Sequence, residues 1–570
     1  MNYLDNYQLW LNSPVLTEEE KQELRDIADN DDEIKIRFST GLTFGTAGLR
    51  GTMKTGMNAM NVYTVAQATQ GLANLIHKEG RAKDGVAVAY DCRNNSELFA
   101  KVSAEVLAAA DIPVYIFDAL RPTPELSFAL RELKCVAGIN ITASHNPKQY
   151  NGYKAYWEDG AQLPPEHANT VYEEICKTDI FGGVKRIDFD KAVADGKIKM
   201  LGEEMDELYL AQVQAQAVNP NAVKAVADEL KIVYTPLHGT GHKLIPEIFD
   251  RIGLKHLYKV EEQFVIDGNF PTVEKPNPEY AEVFSIGIDI ANKVGSNLVI
   301  ATDPDADRVG VVARTKDGSF KTITGNQMGA LLIDYIITAY EETNTMPPKP
   351  YVVKSLVSSE LATKICEAHG VEMFNVLTGF KFIGEVIKNH EKSGEGSYIF
   401  GFEESYGYLK GTYARDKDAV VASMLICEMT AYYHAKNMTL YDALEGLYAK
   451  YGFCCERNEE IYMEGVDGPA KMAALLDGMR KNIPTSLGGV KVTTFGDYNE
   501  QTFTSVASGE KSSTGLPRSN MLSFKLENGD VVIVRPSGTE PKVKFYFMVS
   551  AADQDAALAN IEAYKKSLNI

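Results

Sequence analysis

Residues 298–308 read Leu-Val-Ile-Ala-Thr-Asp-Pro-Asp-Ala-Asp-Arg, a short apolar run that leads directly into a polar loop. The run has the length and the β-branched content of a buried strand. Similar runs recur along the chain and alternate with stretches of helical period. The other predicted strands cover residues 86–90, 113–117, 136–141, 232–234, 351–353, 374–377 and 398–402. This alternation is typical of α/β domains with largely parallel sheets.

Five of the predicted strands end in a polar loop that is rich in Gly, Ser or Asp. These loops cover residues 142–146, 235–241, 302–307, 378–381 and 403–407. Open α/β sheets bind ligands at the carboxyl ends of their strands, so we expect the five loops to line a site. Thr378 and Gly379 enter the candidate set on this ground, although Gly379 carries little information by itself.

The two ends of the chain have patterns of their own. Thr17 and Glu20 form a capping box that predicts a helix over residues 18–29. Residues 531–534 and 543–549 flank the segment 535–542 like two strands around a loop, and a helix-period tail covers 553–568. A separate α+β domain from about residue 451 is therefore predicted.

The composition is that of a large acidic globular protein. The chain has 570 residues, with 58 Lys and Arg against 78 Asp and Glu, and a formal net charge of −20. Nucleic acids and anionic membranes bind basic surfaces, so neither is expected as the main partner. The acidity is uneven, because residues 1–33 hold ten acidic side chains against two basic ones.

The seven cysteines indicate a reduced compartment. Their number is odd, and none of them lies in a Cys-x-x-Cys spacing. The sequence has neither a signal-peptide pattern at its start nor an apolar run long enough to span a membrane. We therefore expect a cytoplasmic protein, and the lack of coiled-coil heptads favours a monomer.

The loop after residue 301 predicts a metal site. Asp303, Asp305 and Asp307 alternate along it, and an extended chain would direct all three carboxylates to one side. An EF-hand would need Gly and Glu where Arg308 and Arg314 stand, so a calcium loop of that type is excluded. Three carboxylates with few other ligands favour Mg²⁺; the alternative is an acidic surface turn.

Ser144 and His145 follow the predicted strand 136–141. Ser144 does not lie in Gly-x-Ser-x-Gly, so an esterase nucleophile elbow is not supported. A hydroxyl at a strand end near a cation can instead carry a phosphoryl group. Taken alone, each of the two residues can also be an ordinary hydrogen-bonded loop residue.

The segment 535–542, Arg-Pro-Ser-Gly-Thr-Glu-Pro-Lys, has the chemistry of a phosphate clamp. It combines a guanidinium group, two hydroxyls, a lysine and a glycine that frees backbone N–H groups. A generic β-turn is the alternative.

Four of these segments, in chain order, resemble the signature loops of the α-D-phosphohexomutase superfamily: residues 142–146, 303–308, 401–407 and 535–542. The segments 44–51, 91–93 and 402–408 look like its bacterial long-type phosphoglucomutase branch, which is close to the phosphopentomutase branch. The resemblance covers nearly the whole chain. The chain departs from the shorter family pattern at Phe402 and in an insert-like stretch, 505–520.

The resemblance implies three α/β domains with mixed, largely parallel sheets and a C-terminal α+β domain, arranged in a heart shape around a central cleft. The expected domains are residues 1–205 with the phosphoserine loop, 206–322 with the metal loop, 323–450 with the sugar loop and 451–570 with the phosphate loop.

The resemblance also implies residue roles. Ser144 would be the phosphoserine and would complete a Mg²⁺ site with Asp303, Asp305 and Asp307. The residues expected to act in catalysis are Ser144, His145, Lys154, Lys417 and Arg50. The residues expected to bind substrate are Thr378, Gly379, Glu403, Ser405, Arg415, Arg308, Arg535, Ser537, Gly538, Thr539 and Lys542.

Lys417 is the candidate general base. That role needs a depressed pKa, which the neighbouring cations Arg415 and Mg²⁺ would favour and which Asp416 and Asp418 would oppose.

The implied activity is a phosphosugar mutase that interconverts α-D-glucose 1-phosphate and glucose 6-phosphate. The expected cofactors are Mg²⁺ and glucose 1,6-bisphosphate, the latter as activator and intermediate. A phosphopentomutase or phosphomannomutase of the same superfamily stays open. A Mg²⁺-dependent phosphatase with Asp303 as nucleophile and a non-catalytic phosphosugar-binding protein are further alternatives.

Overall fold

The computed structural model describes residues 2–45, 48–463, 468–537 and 542–570. The chain forms two compact units. Unit 1 comprises Met1–Ile323, Ile387–Lys392 and Tyr406–Asn437, and unit 2 comprises Thr324–Val386, Ser393–Ser405 and Met438–Ile570.

The α-helices of the described residues are α1 Tyr3–Leu11, α2 Glu18–Asp26, α3 Asp31–Phe38, α4 Val62–Lys78, α5 Ser96–Ala109, α6 Thr123–Glu132, α7 Pro165–Lys177, α8 Phe189–Ala194, α9 Glu203–Gln214, α10 Ala222–Ala225, α11 Gly241–Arg251, α12 Glu261–Phe264, α13 Ser285–Val294, α14 Gly325–Thr343, α15 Glu360–Ala368, α16 Phe380–Ser393, α17 Ala419–His434, α18 Leu440–Tyr451, α19 Gly468–Lys481 and α20 Gln554–Leu568. Short 3₁₀-helices cover Ala82–Asp84 and Ala281–Phe284. Within these described residues, no helix is both long and apolar enough to cross a bilayer.

The strands of the same residues are β1 Leu49–Thr52, β2 Val86–Tyr90, β3 Val114–Phe117, β4 Ala137–Ile141, β5 Tyr150–Trp157, β6 Ile198–Leu201, β7 Lys231–Thr235, β8 His256–Lys259, β9 Leu298–Thr302, β10 Val309–Arg314, β11 Phe320–Ile323, β12 Pro350–Ser355, β13 Glu372–Val376, β14 Ser397–Glu403, β15 Gly407–Leu409, β16 Phe453–Tyr462, β17 Ser486–Leu487, β18 Val490–Asp497, β19 Thr502–Ser505, β20 Lys511–Ser513, β21 Leu522–Leu526, β22 Val531–Pro536 and β23 Lys542–Ala551.

Unit 1 contains two mixed sheets. The first has the strand order β1–β5–β4–β2–β3–β6, in which the pairs β4–β2, β2–β3 and β3–β6 are parallel and β5 is antiparallel to both of its neighbours. The second has the order β11–β10–β9–β7–β8, with β9, β7 and β8 parallel. The central strands β2, β4 and β9 are buried along their whole length. Helices therefore cover both faces, as parallel strands require.

Unit 2 combines a parallel sheet with an antiparallel one. Strands β13, β12 and β14 lie parallel in that order. The C-terminal sheet runs β16–β23–β22–β21–β18–β19–β20, and its neighbouring strands are antiparallel. Its apolar core includes residues of β21, β22 and β23 together with Ala557, Ile561 and Tyr564 of α20. The predicted class, mixed and largely parallel α/β sheets plus an α+β C-terminal part, is confirmed.

The N-terminal helices α1 to α3 build a small apolar cluster, against which Tyr63 of α4 and Ile180 and Phe181 after α7 also pack. Trp10 is fully buried and packs edge-on against Phe38 and Tyr63. The predicted capping box is present, because Glu20 N donates to Thr17 Oγ1 and Thr17 N donates to Glu20 Oε2. These helices thus pack as an integral part of unit 1.

Candidate active site

The loop after β4 holds Ser144 in an unusual backbone conformation. Ser144 has a φ of +52°, in the left-handed region, and its side chain is buried. Non-glycine residues adopt this region at an energetic cost and are frequent in active sites. The Ser144 Oγ donates a hydrogen bond to Asp303 Oδ2 at 2.8 Å. The hydroxyl is therefore directed at the loop that follows β9.

Arg93 binds the backbone of the Ser144 loop. Its Nη2 donates to the carbonyl oxygens of Ser144 and Asn146, each at 2.5 Å. Its Nη1 donates to those of Pro147 and Tyr150, at 3.0 and 3.1 Å. A planar guanidinium group suits several acceptors at once. This one side chain therefore fixes the path of the loop over residues 144–150.

The three aspartates after β9 converge in a buried cluster. Carboxylate oxygens of Asp303, Asp305 and Asp307 lie within 4.8 Å of one another. Asp303 Oδ1 accepts hydrogen bonds from the backbone N–H groups of Asp307 and Arg308. Asp305 Oδ1 and Asp307 Oδ1 are buried and have no hydrogen-bond partner among the described residues. Such unpartnered carboxylate oxygens fit a hard cation.

Two lysines supply positive charge to this cluster. Lys154, on β5, donates to Asp305 Oδ2 at 2.6 Å and to Asp307 Oδ2 at 3.1 Å. The Nζ of Lys417 lies 2.8 Å from Asp416 Oδ1 and 3.3 Å from Asp307 Oδ2. A Cβ on Gly407 would fall 2.1 Å from Lys417 Cδ, so glycine at 407 makes room for this lysine.

These charges set the protonation states of the cluster. Burial and the charges of Asp305 and Asp307 raise the pKa of Asp303 well above its usual value. Burial by itself would raise the pKa of Asp307, but Lys154, Lys417 and Arg308 outweigh it and lower that pKa. Burial likewise opposes the charge of Lys154, yet Asp305 and Asp307 raise its pKa. Lys154 is therefore a cation at neutral pH.

Arg50, His145 and Arg308 add to this region. The Arg50 Nη1 donates to Asn146 Oδ1 at 3.1 Å, and the Arg308 Nη1 donates to Glu279 Oε1 at 2.9 Å. Burial and the charges of Arg308 and Arg50 lower the pKa of His145 well below its usual value, so its ring is neutral at neutral pH. Its Nδ1 lacks a hydrogen-bond partner within the described part of the chain.

In unit 2, several predicted sugar and phosphate residues gather around the start of α16. The backbone N–H of Gly379 donates to Glu403 Oε1 at 2.7 Å. The Nη1 of Arg535, at the end of β22, donates to Thr378 Oγ1. Residues from three strand ends, those of β13, β14 and β22, are thereby brought together.

The remaining predicted substrate residues of unit 2 are Ser405, Ser537, Gly538 and Thr539, besides Lys542. Ser405 is half-buried. The backbone N–H of Ser537 donates to the Lys542 carbonyl oxygen at 2.8 Å, and this contact joins the end of β22 to the start of β23. Gly538 and Thr539 lie outside the described residues.

Lys542 forms an ion pair with a residue of β16. Its amine donates to Glu460 Oε2 at 2.8 Å and lies over the Tyr462 ring, 5.2 Å from the ring centroid. The charge of this lysine is therefore balanced by a carboxylate within unit 2.

Arg415 is placed in a buried ion pair of unit 1. Its guanidinium group donates to the carbonyl oxygens of Thr412 and Ala414 and to Glu391. The side chain is almost fully buried. Its neighbour Asp416 accepts a hydrogen bond from Tyr156 at 2.9 Å. Lys417 therefore faces the carboxylates of Asp416 and Asp307, and the expected effect of the Arg415 charge on it is reduced because Glu391 balances that charge.

Several residues that contact the site carried no assigned role at the level of sequence. Arg93 holds the Ser144 loop, and Thr123 donates to Asp305 Oδ2 at 2.7 Å. Asn140 in turn donates to Thr123 at 2.6 Å. Thr123 stands between two prolines, and Asn140 is a polar residue inside an apolar strand. A polar side chain in the middle of a buried run is the signal that could have identified Asn140.

Four protein-family models match the chain in order. They are Phosphoglucomutase/phosphomannomutase alpha/beta/alpha domain I over residues 41–180, domain II over 207–318, domain III over 324–451 and the C-terminal domain over 467–564.

Curated relatives agree with these matches. The phosphoglucomutase of Staphylococcus haemolyticus is 36% identical over 529 residues, which cover 92% of this chain and 94% of the relative. That of Staphylococcus saprophyticus is 36% identical over 534 residues, covering 94% and 95%.

Among solved structures, parafusin (phosphoglucomutase) of Paramecium shares the fold with a TM-score of 0.70 at 19% identity, covering 93% of this chain and 95% of that one. A phosphomannomutase-like structure from Thermus thermophilus gives a TM-score of 0.67 at 20% identity, covering 93% and 98%. By its four domain models and its relatives at 36% identity, the chain belongs to the α-D-phosphohexomutase superfamily.

Proposed function

We propose that this enzyme is a phosphoglucomutase, which interconverts α-D-glucose 1-phosphate and glucose 6-phosphate through a phosphoserine at position 144. One observation carries the proposal: the Ser144 hydroxyl, at the end of a buried strand, donates to an aspartate of a buried acidic cluster. Phosphoryl transfer depends on positioning and on charge stabilisation, and this cluster can provide both. The relatives at 36% identity support the same activity.

The acidic cluster is the proposed Mg²⁺ site. Asp303, Asp305 and Asp307 would hold the ion together with an oxygen of the Ser144 phosphate. The buried Oδ1 atoms of Asp305 and Asp307 have no hydrogen-bond partner in the described part of the chain, and this supports the donor set. When bound, the cation would neutralise part of the charge of the transferred phosphoryl group.

In the proposed reaction, the phosphoryl group passes from Ser144 to a free hydroxyl of the sugar monophosphate. The Ser144 Oγ–P bond breaks, the sugar O–P bond forms, and Lys417, in its neutral amine form, accepts the proton of the sugar hydroxyl and becomes an ammonium group. Lys154 balances the charge of the aspartates. Arg50, Arg308 and the neutral His145 supply hydrogen-bond donors to the reacting phosphate.

The cluster of unit 2 is proposed to bind the rest of the substrate. Glu403 and Ser405 would accept and donate hydrogen bonds to sugar hydroxyls. The non-reacting phosphate would bind Arg535, Ser537, Gly538, Thr539 and Lys542, with Thr378, Gly379 and Arg415 as further contacts. The glucose 1,6-bisphosphate then turns over, and its other phosphate re-phosphorylates Ser144.

The contacts of Asp303 argue against a phosphatase in which this residue is the nucleophile. Its Oδ2 accepts from Ser144, and its Oδ1 accepts from two backbone N–H groups. Oδ1 is thus held by two backbone donors, and Oδ2 is turned to the Ser144 hydroxyl, which makes Ser144 the better-placed carrier of the phosphoryl group.

We also propose the domain boundaries 1–205, 206–322, 323–450 and 451–570, a monomeric state and a cytoplasmic location. The boundaries rest on the resemblance to the superfamily, the monomeric state on the lack of coiled-coil heptads in the sequence, and the location on the odd number of cysteines without a Cys-x-x-Cys spacing.

A comparison of sugar phosphates tests the proposed function. With glucose 1,6-bisphosphate and Mg²⁺ present, we expect kcat/KM for glucose 1-phosphate to exceed that for mannose, ribose and deoxyribose 1-phosphate by at least about tenfold. Formation of glucose 6-phosphate is followed in a coupled assay, and the phosphate products of the other three sugars are quantified directly by chromatography. A tenfold preference for ribose 1-phosphate would make the substrate wrong and leave the chemistry intact. Net phosphate release without the bisphosphate would indicate a phosphatase instead.

The Arg535→Ala variant tests the phosphate clamp. We expect KM to rise about tenfold to a hundredfold with a smaller change in kcat, because a hydrogen bond to a charged group contributes about 1.5–3 kcal/mol. Loss of bisphosphate into solution during turnover should increase as well. The exposed Arg518 provides the control variant Arg518→Ala, which should leave both quantities unchanged. Equal KM values for Arg535→Ala and the parent enzyme would contradict the clamp.

A further inference from the structure

The first residue of α6, Thr123, contacts the acidic cluster at two points. Its backbone N–H donates to the Asp305 carbonyl oxygen at 2.9 Å. Its Oγ1 donates to Asp305 Oδ2 at 2.7 Å. Thr123 is completely buried, so water does not compete for either bond. One residue therefore fixes both the main chain and the side chain of Asp305.

Asn140 orients the Thr123 hydroxyl. This residue is fully buried in β4, and its Nδ2 donates to Thr123 Oγ1 at 2.6 Å. Because Oγ1 accepts from Asn140, its own proton is left for Asp305. A hydroxyl has one proton to donate, and the direction of the bond to Asp305 is thus set by the strand that precedes Ser144.

The two bonds to Asp305 Oδ2 decide which of its oxygens is available. Oδ2 accepts from Thr123 and from Lys154, whereas Oδ1 is buried without a hydrogen-bond partner among the described residues. Outer-shell partners of metal ligands fix the orientation of those ligands. Here the outer shell comes from α6, β4 and β5, which are distant in sequence from the metal loop.

We propose that Thr123 is a positioning residue for the divalent-cation site. Thr123 holds Asp305 with its Oδ1 turned toward the ion and so sets the affinity of the site for the cation. This inference rests on the metal site proposed above. It assigns Thr123 no contact with substrate and no part in proton transfer.

Direct titration with Mn²⁺ tests the inference. Purified, chelator-treated enzyme is titrated with Mn²⁺, and the free ion is measured by electron paramagnetic resonance. Thr123→Val preserves shape and removes the hydroxyl, and we expect it to weaken Mn²⁺ binding about 10- to 100-fold. Thr123→Ser keeps the hydroxyl and should bind within about twofold of the parent protein.

A matched control is Thr430→Val. Thr430 is also buried, and its Oγ1 donates within its own helix to the Ile426 carbonyl oxygen. This variant should bind Mn²⁺ normally. A general loss of packing would lower the melting temperature of both valine variants. The Mn²⁺ affinity, in contrast, should fall in Thr123→Val and stay unchanged in Thr430→Val.

The outcomes separate the two proposals. Tight stoichiometric binding by the parent protein and equal binding by Thr123→Val would overturn the role of Thr123 and leave the metal site standing. No binding by the parent protein would overturn the metal site itself. With Mg²⁺, the concentration for half-maximal activity should rise in Thr123→Val while kcat at saturating Mg²⁺ stays near the parent value.

Discussion

Replacing Ser144 by alanine is expected to abolish transfer of label from glucose 1,6-bisphosphate to the protein. Mutase activity should fall by on the order of 10⁴-fold or more, because the group that carries the phosphoryl is removed. The measurement uses bisphosphate labelled with ³²P, with protein-bound label counted after denaturation. Alanine at 144 removes the bond to Asp303 but leaves the backbone contacts of Arg93 in place.

Ser103→Ala is the matched control for this experiment. Ser103 is a buried serine of unit 1 whose Oγ donates to the Phe99 carbonyl oxygen within α5. This variant should take up label at the parent rate. Full labelling of Ser144→Ala would refute the assignment of the phosphoserine.

Replacing Lys417 by glutamine is expected to lower kcat by about 10²- to 10⁴-fold, the usual contribution of a positioned general base. KM should change little, since the proposed role lies in proton transfer. The acidic limb of the pH profile of kcat should also disappear, because a general base acts only when deprotonated and glutamine does not titrate. Rates are measured across the pH range with saturating substrate and Mg²⁺.

The control variant Lys410→Gln tests whether the acidic limb of the pH profile comes from Lys417 or from another lysine. Burial lowers the pKa of Lys410 to about 8, so this residue titrates within the range of the assay. Its amine lies 3.5 Å from Gln216 Oε1, a contact that glutamine can replace. The limb should persist in this variant. A Lys417→Gln enzyme with an unchanged pH profile would exclude Lys417 as the base.

The strands that carry the site were predictable from local pattern. The apolar runs before Ser144 and Asp303 are the strands β4 and β9, and the two loops begin where these strands end. A buried strand in an α/β sheet has a continuous apolar sequence, and this property is readable without any partner. The convergence of Asp303, Asp305 and Asp307 is confirmed, but it comes from a turn and not from an extended chain, because Ala306 N donates to the Asp303 carbonyl oxygen and Ala306 has a φ of +48°.

Other parts of the site depend on long-range contacts that local pattern does not contain. The strand β5 is absent from the predicted set, because Asn151, Gly152 and Lys154 interrupt its apolar residues. The same polar residue, Lys154, pairs with two aspartates that follow it by 151 and 153 positions. The ion pair of Arg415 with Glu391 and that of Lys542 with Glu460 are likewise decided by packing.

Acidic residues of the helices α2 and α3 form hydrogen bonds and ion pairs within unit 1. Glu23 accepts hydrogen bonds from the backbone N–H and the Oγ1 of Thr55, and Arg37 links Glu23 to Glu33. The N-terminal carboxylates thus brace the turn that follows β1, the strand of Arg50, and they lie in a region that precedes the first matched family model at residue 41. Part of the net charge of −20 therefore lies in carboxylates that are paired within the N-terminal region. The electrostatic potential that a phosphate dianion experiences near Ser144 depends on the charged residues around Ser144 and not on the net charge of the chain.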